Sequence, residues 1–331
     1  MGALQEAMRE AAASGIRFGF AETNGLRMHY ARKGHGKTLV LLHGWPEFWI
    51  VYRPLLERLE DEFDVIVPDL RGFGFTGKPF AGPDPHADAN THARDIAGLL
   101  DALGIASTGI VGGDLGAYVL QAFARHYPQR LERAFFFCTP YPGIGTRYGA
   151  PGHLIEVWYQ YFQQLPWAAE LIGASRQTCK LYLSHFLNHW SGDAPDVFAN
   201  MLEIYTDMFM QNDNIQGGFD WYLSSAPDRR RWLEGTLAKP PVIDAPSRFL
   251  WGWHDPLIKP DWSDKLGDYF SNYSIGFADA GHFVHYEAPD LCASEIRSFF
   301  AAPSRHPPLA PLDRGPDAIV PVHAAMPQSQ P

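Results

Sequence analysis

Cysteine is almost missing from this chain: Cys138, Cys179 and Cys292 are the three among 331 residues. They are odd in number and far apart, which excludes a disulfide framework and a cysteine-based metal or redox spacing, and fits a reducing compartment. Positive charge is also scarce. Asp and Glu number 37 against 27 Lys and Arg, a formal net charge of −10, so the chain carries no electrostatic footprint for nucleic acid. No apolar run is long enough to cross a bilayer. The opening residues carry Glu6, Arg9 and Glu10 where a secretory signal needs an apolar stretch, and Glu6 stands where a myristoylation signal wants Ser or Thr. Internal repeats are absent. The expectation is a soluble cytoplasmic protein, monomeric or homodimeric, with no nucleic-acid or membrane partner.

Apolar residues, by contrast, are plentiful. At 46% hydrophobic, the chain can bury one large core, or a core plus an insert. Residues 1–15 read as an amphipathic helix or a loose arm. Phe18 to Ala31 reads as a hairpin turned at Asn24-Gly25. Leu39–Leu42 and Val65–Val67 are apolar runs that fit buried strands. Trp49–Leu59 and Thr91–Leu103 have helical spacing, and Thr108–Val111 fits another strand. This alternation predicts a mostly parallel sheet with helices on both faces. From about 141 to 240 the rhythm stops and aromatics recur at helical spacing. Strands return at Ser247–Trp251 and Ser274–Phe277. The predicted organisation is an α/β core over 1–140 and 241–302, with a helical cap inserted at 141–240. The proline-rich tail, 303–331, is expected to be disordered.

One further absence decides the chemistry. Ile110 to Tyr118 spells a strand, a sharp turn and a helix start, with Gly112 and Gly116 flanking the turn residue. That is the nucleophile-elbow pattern, but the central residue is Asp114 and not serine. A serine would form an acyl ester from a carbonyl substrate. A carboxylate forms an alkyl ester, which implies attack on the sp³ carbon of an epoxide or a carbon–halogen bond.

Such a nucleophile needs a base, an acid to orient the base, and backbone donors for an oxyanion. In chain order these are expected after the nucleophile as acid, then histidine. His282, preceded by Gly281, is the base candidate, with His285 read as a surface or supporting residue. Asp255, in the loop after an apolar strand, is the acid, with Asp261 as the alternative. The oxyanion donors are expected to be the amides of Trp45 and Leu115, since Pro46 has no N–H. No metal and no cofactor is expected.

His43-Gly44-Trp45-Pro46-Glu47-Phe48-Trp49 resembles the H-G-x-P-E-x-W loop of epoxide hydrolases. Asp69-Leu70-Arg71-Gly72-Phe73-Gly74 with Lys78-Pro79, and Gly281-His282 with Glu287 and Pro289, are similar to further stretches of the same family. Over residues 16–302 the chain thus resembles the epoxide hydrolase and dehalogenase branch of the α/β-hydrolase fold superfamily. The resemblance implies that cap tyrosines activate the epoxide oxygen and supply its proton. Gly218-Phe219-Asp220-Trp221-Tyr222 resembles the segment carrying one donor, Tyr222. Trp158 to Gln163 resembles the segment carrying the other, with Tyr159 preferred and Tyr161 the alternative. A small apolar epoxide is the implied substrate, and a haloalkane or haloacetate the second choice. Leu115 and Tyr118 stand where the dehalogenases place a Trp or Arg donors, which weighs against them. His43, Trp158, Phe162 and Phe283 are the candidate pocket residues. Trp158, Phe162, Trp167, Phe186, Trp190 and Phe209 read mostly as the cap's own core, with some of them lining an apolar pocket between cap and sheet.

Two weaker signals lead elsewhere. Gly72 to Pro79 nearly spells a P-loop, but Pro79 replaces the residue that would hold magnesium. His185 and His189 lie one helical turn apart without a third ligand of suitable spacing.

Overall fold

The computed structural model describes residues 2–78, 87–194 and 196–301. Pro79 and the tail expected to be disordered lie outside the described residues. Eight strands form one sheet: β1 (Arg17–Thr23), β2 (Leu26–Gly34), β3 (Lys37–Leu42), β4 (Phe63–Pro68), β5 (Thr108–Gly113), β6 (Leu131–Phe137), β7 (Ser247–Gly252) and β8 (Tyr273–Ala278). Their order is β1-β2-β4-β3-β5-β6-β7-β8, antiparallel where β2 meets β1 and β4 and parallel elsewhere. The β1–β2 hairpin closes through Asn24 (φ 45°) and Gly25 (φ 77°), the left-handed pair that a two-residue turn requires.

The central strands are covered on both faces. All six residues of β4 and of β5 are buried, so these strands read as continuous apolar runs without alternation. The same property hid β6. Its Phe135, Phe136 and Phe137 are all fully buried, and three successive aromatics carry no period-two signal.

The helices are α1 (Ala3–Ala13), α2 (Arg53–Leu59), α3 (Ala89–Ala102), α4 (Asp114–His126), α5 (Leu154–Val157), α6 (Tyr159–Phe162), α7 (Ala168–Gly173), α8 (Arg176–His189), α9 (Leu202–Phe209), α10 (Asn214–Leu233), α11 (Val284–Glu287) and α12 (Pro289–Ala301). Among the described residues, none is long and apolar enough to cross a membrane. Between β6 and β7 the regular structure is helical throughout, from a 3-10 segment at Pro142 to the end of α10. The first helix is the amphipathic alternative expected for residues 1–15, and what the sequence did not show is its partner. α1 buries Leu4, Ala7, Met8 and Ala11 and packs on α9 of the inserted helices, where the Leu4 amide donates to Asp207 Oδ2 at 3.0 Å. It is a clamp on the inserted block, not a loose arm.

Candidate active site

The parallel strands all end at one edge of the sheet, and four of the loops leaving that edge carry the candidate residues. Such an edge is where open α/β sheets bind ligands. Asp114 follows β5 directly, with φ 48°, a left-handed backbone that a non-glycine residue holds only when its surroundings impose it. What imposes it is close packing. A Cβ on Gly116 would run into the Leu42 carbonyl oxygen, and one on Gly44 would come within 2.5 Å of Asp114 Cβ. Glycines at those positions let α4 and the loop after β3 close around the carboxylate.

Asp114 Oδ1 accepts a hydrogen bond from the Trp45 amide at 2.8 Å. The Trp45–Pro46 peptide is cis. Leu115 follows as the second residue of α4, where an amide has no carbonyl partner inside its own helix. Among the described residues it makes no hydrogen bond to Asp114.

The second carboxylate oxygen faces His282, the candidate base. His282 Nε2 lies 3.5 Å from Asp114 Oδ2, and its Nδ1 donates to Asp255 Oδ2 at 2.8 Å. Asp255 is itself held by the amides of Leu257 (2.8 Å) and Ile258 (2.9 Å) on Oδ1. The imidazole is fully buried. Burial works against its charged form, but Asp255 on one ring nitrogen and Asp114 on the other outweigh it, and the pKa is pushed up to about 10. The two carboxylates therefore favour the protonated ring. Asp261, the alternative acid, is exposed on a 3-10 segment away from this pair.

Tyr159 and Tyr222 come together above the carboxylate although 63 positions separate them in sequence. Their rings lie 5.5 Å apart, their hydroxyls interact, and both feel the Asp114 charge. Burial pushes both phenols well above their ordinary pKa, so each keeps its proton. Gln160 Nε2 lies 3.1 Å from the Tyr159 hydroxyl and 2.7 Å from that of a third buried tyrosine, Tyr148. Tyr161, the alternative donor, is half exposed on the other side of α6. Around the pair, Trp45 stacks on Tyr159 at 5.1 Å, and Trp190 packs on Tyr159 (5.3 Å) and on His282 (5.4 Å). The Asp114 side chain nevertheless keeps 17% of its surface open, against 1% for His282 and none for Asp255. Asp114 is thus the most accessible member of the three.

The profile of the alpha/beta hydrolase fold matches residues 37–289. The chain is 32% identical to the soluble epoxide hydrolase of Corynebacterium sp. (strain C12), over 85% of this chain and 96% of that one. The chain belongs to the α/β-hydrolase fold family. It is a hydrolase, and its relatives lie in the epoxide hydrolase branch of that family. Human epoxide hydrolase 4 is 28% identical over 85% of this chain and 78% of its own length. The solved structure of epoxide hydrolase CorEH without ligand superposes with a TM-score of 0.74 at 29% identity, covering 86% of this chain and 99% of that chain.

Within this α/β-hydrolase, several candidates are placed differently from expectation. His43 does not line the space over Asp114. Its Nδ1 donates to the Gly44 carbonyl (2.9 Å) and its Nε2 accepts from the Leu70 amide (3.0 Å), so it braces two loops as a neutral ring, with burial lowering its pKa. Trp158 is 38% exposed and packs on Phe162, Tyr182, His185 and Phe186. Phe162 packs on Trp158, Trp167 and Tyr182. Both rings sit on the outer side of the inserted helices, with Phe186 between Trp158 and Trp45. Phe283 is buried beside His282, 5.5 Å between centroids. His285 is no surface residue. It is buried against Glu47 (2.9 Å), whose other oxygen holds the Gly44 amide at 2.6 Å. Burial opposes the Glu47 charge, but the His285 partner and the Gly44 amide hold its pKa below the usual carboxylate value.

The P-loop lookalike is closed on itself. Lys78 Nζ donates to the carbonyls of Gly74 and Thr76, both at 2.8 Å, and presents no ammonium to a phosphate. His185 and His189 stack 5.6 Å apart, and His189 pairs with Glu156. Among the described residues, the group with metal-ligand spacing is Cys138, Asp255 and His282, in which the Asp and His are already bonded to each other.

Missed from the sequence were Trp190, Gln160 and Tyr148. Trp190 was read as packing within the inserted helices, yet its carbonyl accepts the His282 amide at 2.7 Å. Aromatic spacing alone does not reveal which ring in a helical block faces the sheet.

Proposed function

We propose that this hydrolase opens epoxides to vicinal diols through an alkyl ester on Asp114. The observation that carries the reading is the pair of buried, protonated hydroxyls, Tyr159 and Tyr222, beside the Asp114 carboxylate. An epoxide oxygen needs donors at the moment its C–O bond breaks, and a carboxylate opposite them supplies the nucleophile.

In this scheme the helical block 141–240 acts as a cap that brings the tyrosines over the sheet edge. The hydroxyls bind the epoxide oxygen. Asp114 Oδ2 attacks one ring carbon, the C–O bond breaks, and a tyrosine gives its proton to the alkoxide. Esterification removes the Asp114 charge that helped hold the imidazolium. His282 then releases its proton, which restores the tyrosinate, and the ring becomes a neutral base. It takes a proton from water, and the hydroxide adds to Asp114 Cγ. The Trp45 amide, joined by that of Leu115, stabilises the oxyanion on Oδ1. The tetrahedral species collapses, the ester bond breaks, and the carboxyl proton passes to the departing diolate. Asp114 is again a carboxylate beside an imidazolium.

His282→Gln tests the scheme. Incubation with an epoxide should trap the alkyl-enzyme, read by intact-protein mass spectrometry as an added mass equal to the substrate. Loss of the base should slow ester hydrolysis by about 10²–10⁴-fold. Turnover at the wild-type rate, with no adduct, refutes the assignment.

One observation supports carbon–halogen cleavage as a second reading. The Trp45 indole N–H is buried without a partner, a donor type that suits halide. Adduct formation from an organohalide, with none from any epoxide, selects that reading.

A further inference from the structure

α6 turns two residues inward, Tyr159 and Gln160, while Trp158 and Tyr161 on either side of them are exposed. Tyr159 goes in as an apolar ring with a hydroxyl at its tip. Gln160 goes in as a primary amide, which is unfavourable unless its polar atoms find partners. The partners are two phenols. Gln160 Nε2 lies 2.7 Å from the Tyr148 hydroxyl oxygen and 3.1 Å from that of Tyr159.

The orientation of the amide decides what this contact does. With Nε2 toward the phenols, both of its N–H bonds are used, one on each oxygen, and one carbonyl oxygen, Oε1, is buried without a partner. Turned over, the amide would satisfy Oε1 but leave two N–H donors buried and unpaired, which costs more. Gln160 therefore donates to both phenols. A phenol oxygen that accepts from Gln160 keeps its own proton for another acceptor. Tyr148 holds the amide in that sense. It is buried, stacked on Trp232 at 4.8 Å and edge-on to His153 at 5.2 Å, and it takes the second N–H. The two tyrosines of the site are thereby made unequal. Burial raises both phenols, but the Gln160 amide and the Tyr222 hydroxyl act in the opposite sense on Tyr159, while Tyr159 adds to the rise on Tyr222.

We propose that Gln160 is the positioning residue of the ring-opening step, and that through it Tyr159, rather than Tyr222, is the tyrosine that gives up its proton. The inference rests on the epoxide reading above. As Asp114 attacks, the electron pair of the epoxide C–O bond passes to oxygen, the Tyr159 O–H bond breaks, and its proton goes to that oxygen. Negative charge then sits on the Tyr159 oxygen, where an N–H of Gln160 already points. Tyr222 stays a neutral donor to the same substrate oxygen. The proton that His282 later releases restores Tyr159.

The test is single-turnover alkylation by styrene oxide in the His282→Gln parent, read as growth of the adduct mass. Gln160→Met keeps the length of the side chain and removes both donors. It should slow alkylation about 10- to 200-fold, as expected for a lost hydrogen bond to a charged group. Gln160→Glu keeps the shape, and should fall further behind the parent as pH rises and its carboxyl loses the one proton it can donate. Because Gln160 acts through the Tyr159 oxygen, the Gln160→Met loss should persist in Tyr222→Phe and shrink to within about twofold in Tyr159→Phe. Thermal unfolding confirms that each variant compared is folded. Equal losses in the parent, Tyr159→Phe and Tyr222→Phe would mark a merely structural side chain and overturn the assignment. So would alkylation by Gln160→Met at the parent rate, or a loss that vanishes in Tyr222→Phe instead. Each of those results, obtained with a parent that alkylates, leaves the epoxide reading standing. A parent that forms no adduct with any epoxide overturns that reading and this assignment together.

Discussion

Removing the hydroxyl of Tyr159 or Tyr222 isolates what those groups do from what their rings do. Tyr→Phe leaves the stacking of Tyr159 on Trp45 at 5.1 Å and the 5.5 Å contact between the two rings. What disappears, in the proposed mechanism, is one hydrogen bond to an oxygen that gains full negative charge as the epoxide opens. A hydrogen bond to a charged group contributes about 1.5–3 kcal/mol. Each single variant should therefore alkylate Asp114 about 10- to 200-fold more slowly. The double variant should lose at least as much as the worse single one, and less than the product if the hydroxyls act as a unit. Gln160 contacts the hydroxyls of both Tyr159 and Tyr148, so Tyr159→Phe is also expected to disturb Tyr148. The assay is single-turnover alkylation in the His282→Gln background, read as growth of the adduct mass. Thermal unfolding checks that both variants stay folded. Adduct formation at the parent rate in both Phe variants would show the hydroxyls to be packing atoms, and the epoxide mechanism would lose its acid.

Three further outcomes follow from the geometry. The His282 pKa is raised from 6.5 to about 10 in the folded state, so its protonated form stabilises the fold fully below about 6.5, and that contribution is lost as pH rises toward about 10. Unfolding midpoints should fall across that window in wild type and fall less in His282→Gln; identical slopes would count against the ion-pair assignment. Glu47→Ala leaves His285 buried without its partner and frees the Gly44 amide, and should cost about 3–5 kcal/mol in denaturant unfolding; a change below 1 kcal/mol, on the order of a surface pair, would mean that the loop is held elsewhere. Gly116→Ala pushes a methyl group into the Leu42 carbonyl, a backbone atom that cannot swing aside, and should destabilise by about 1–3 kcal/mol with loss of activity; an active variant of unchanged stability would show that the elbow tolerates a wider turn.

The candidate site was legible where it is written locally. Asp114 at the strand-to-helix turn, and His282 and Asp255 in short loops after strands, are each flanked by the glycine or proline that shapes the chain there, so a window of ten residues carries the signal. The Tyr159 and Tyr161 alternatives could be ordered only in three dimensions, because residues two apart on a helix point to nearly opposite sides. Trp158 and Phe162 could not be divided between the cap's own core and its pocket for a related reason. In an aromatic-rich insert every ring fits the helical period, and only the packing of helix on sheet decides which rings face inward. The burial of His285 depends on Glu47, and the docking of α1 depends on α9; neither partner lies within reach of a local pattern. The run of phenylalanines in β6 was opaque for the opposite reason, since a strand buried on both faces has no periodicity to read.

The hydrogen bond from the His282 amide to the Trp190 carbonyl has a consequence for anyone reshaping this enzyme. In the proposed mechanism, the residue that governs the second half-reaction is anchored, by its own main chain, to the very segment that would be exchanged to admit a bulkier guest. Selectivity and turnover are therefore mechanically linked. A transplanted lid that fits a new ligand perfectly, but sets its counterpart of position 190 an ångström too far away, should load the enzyme and then leave it stranded as the ester.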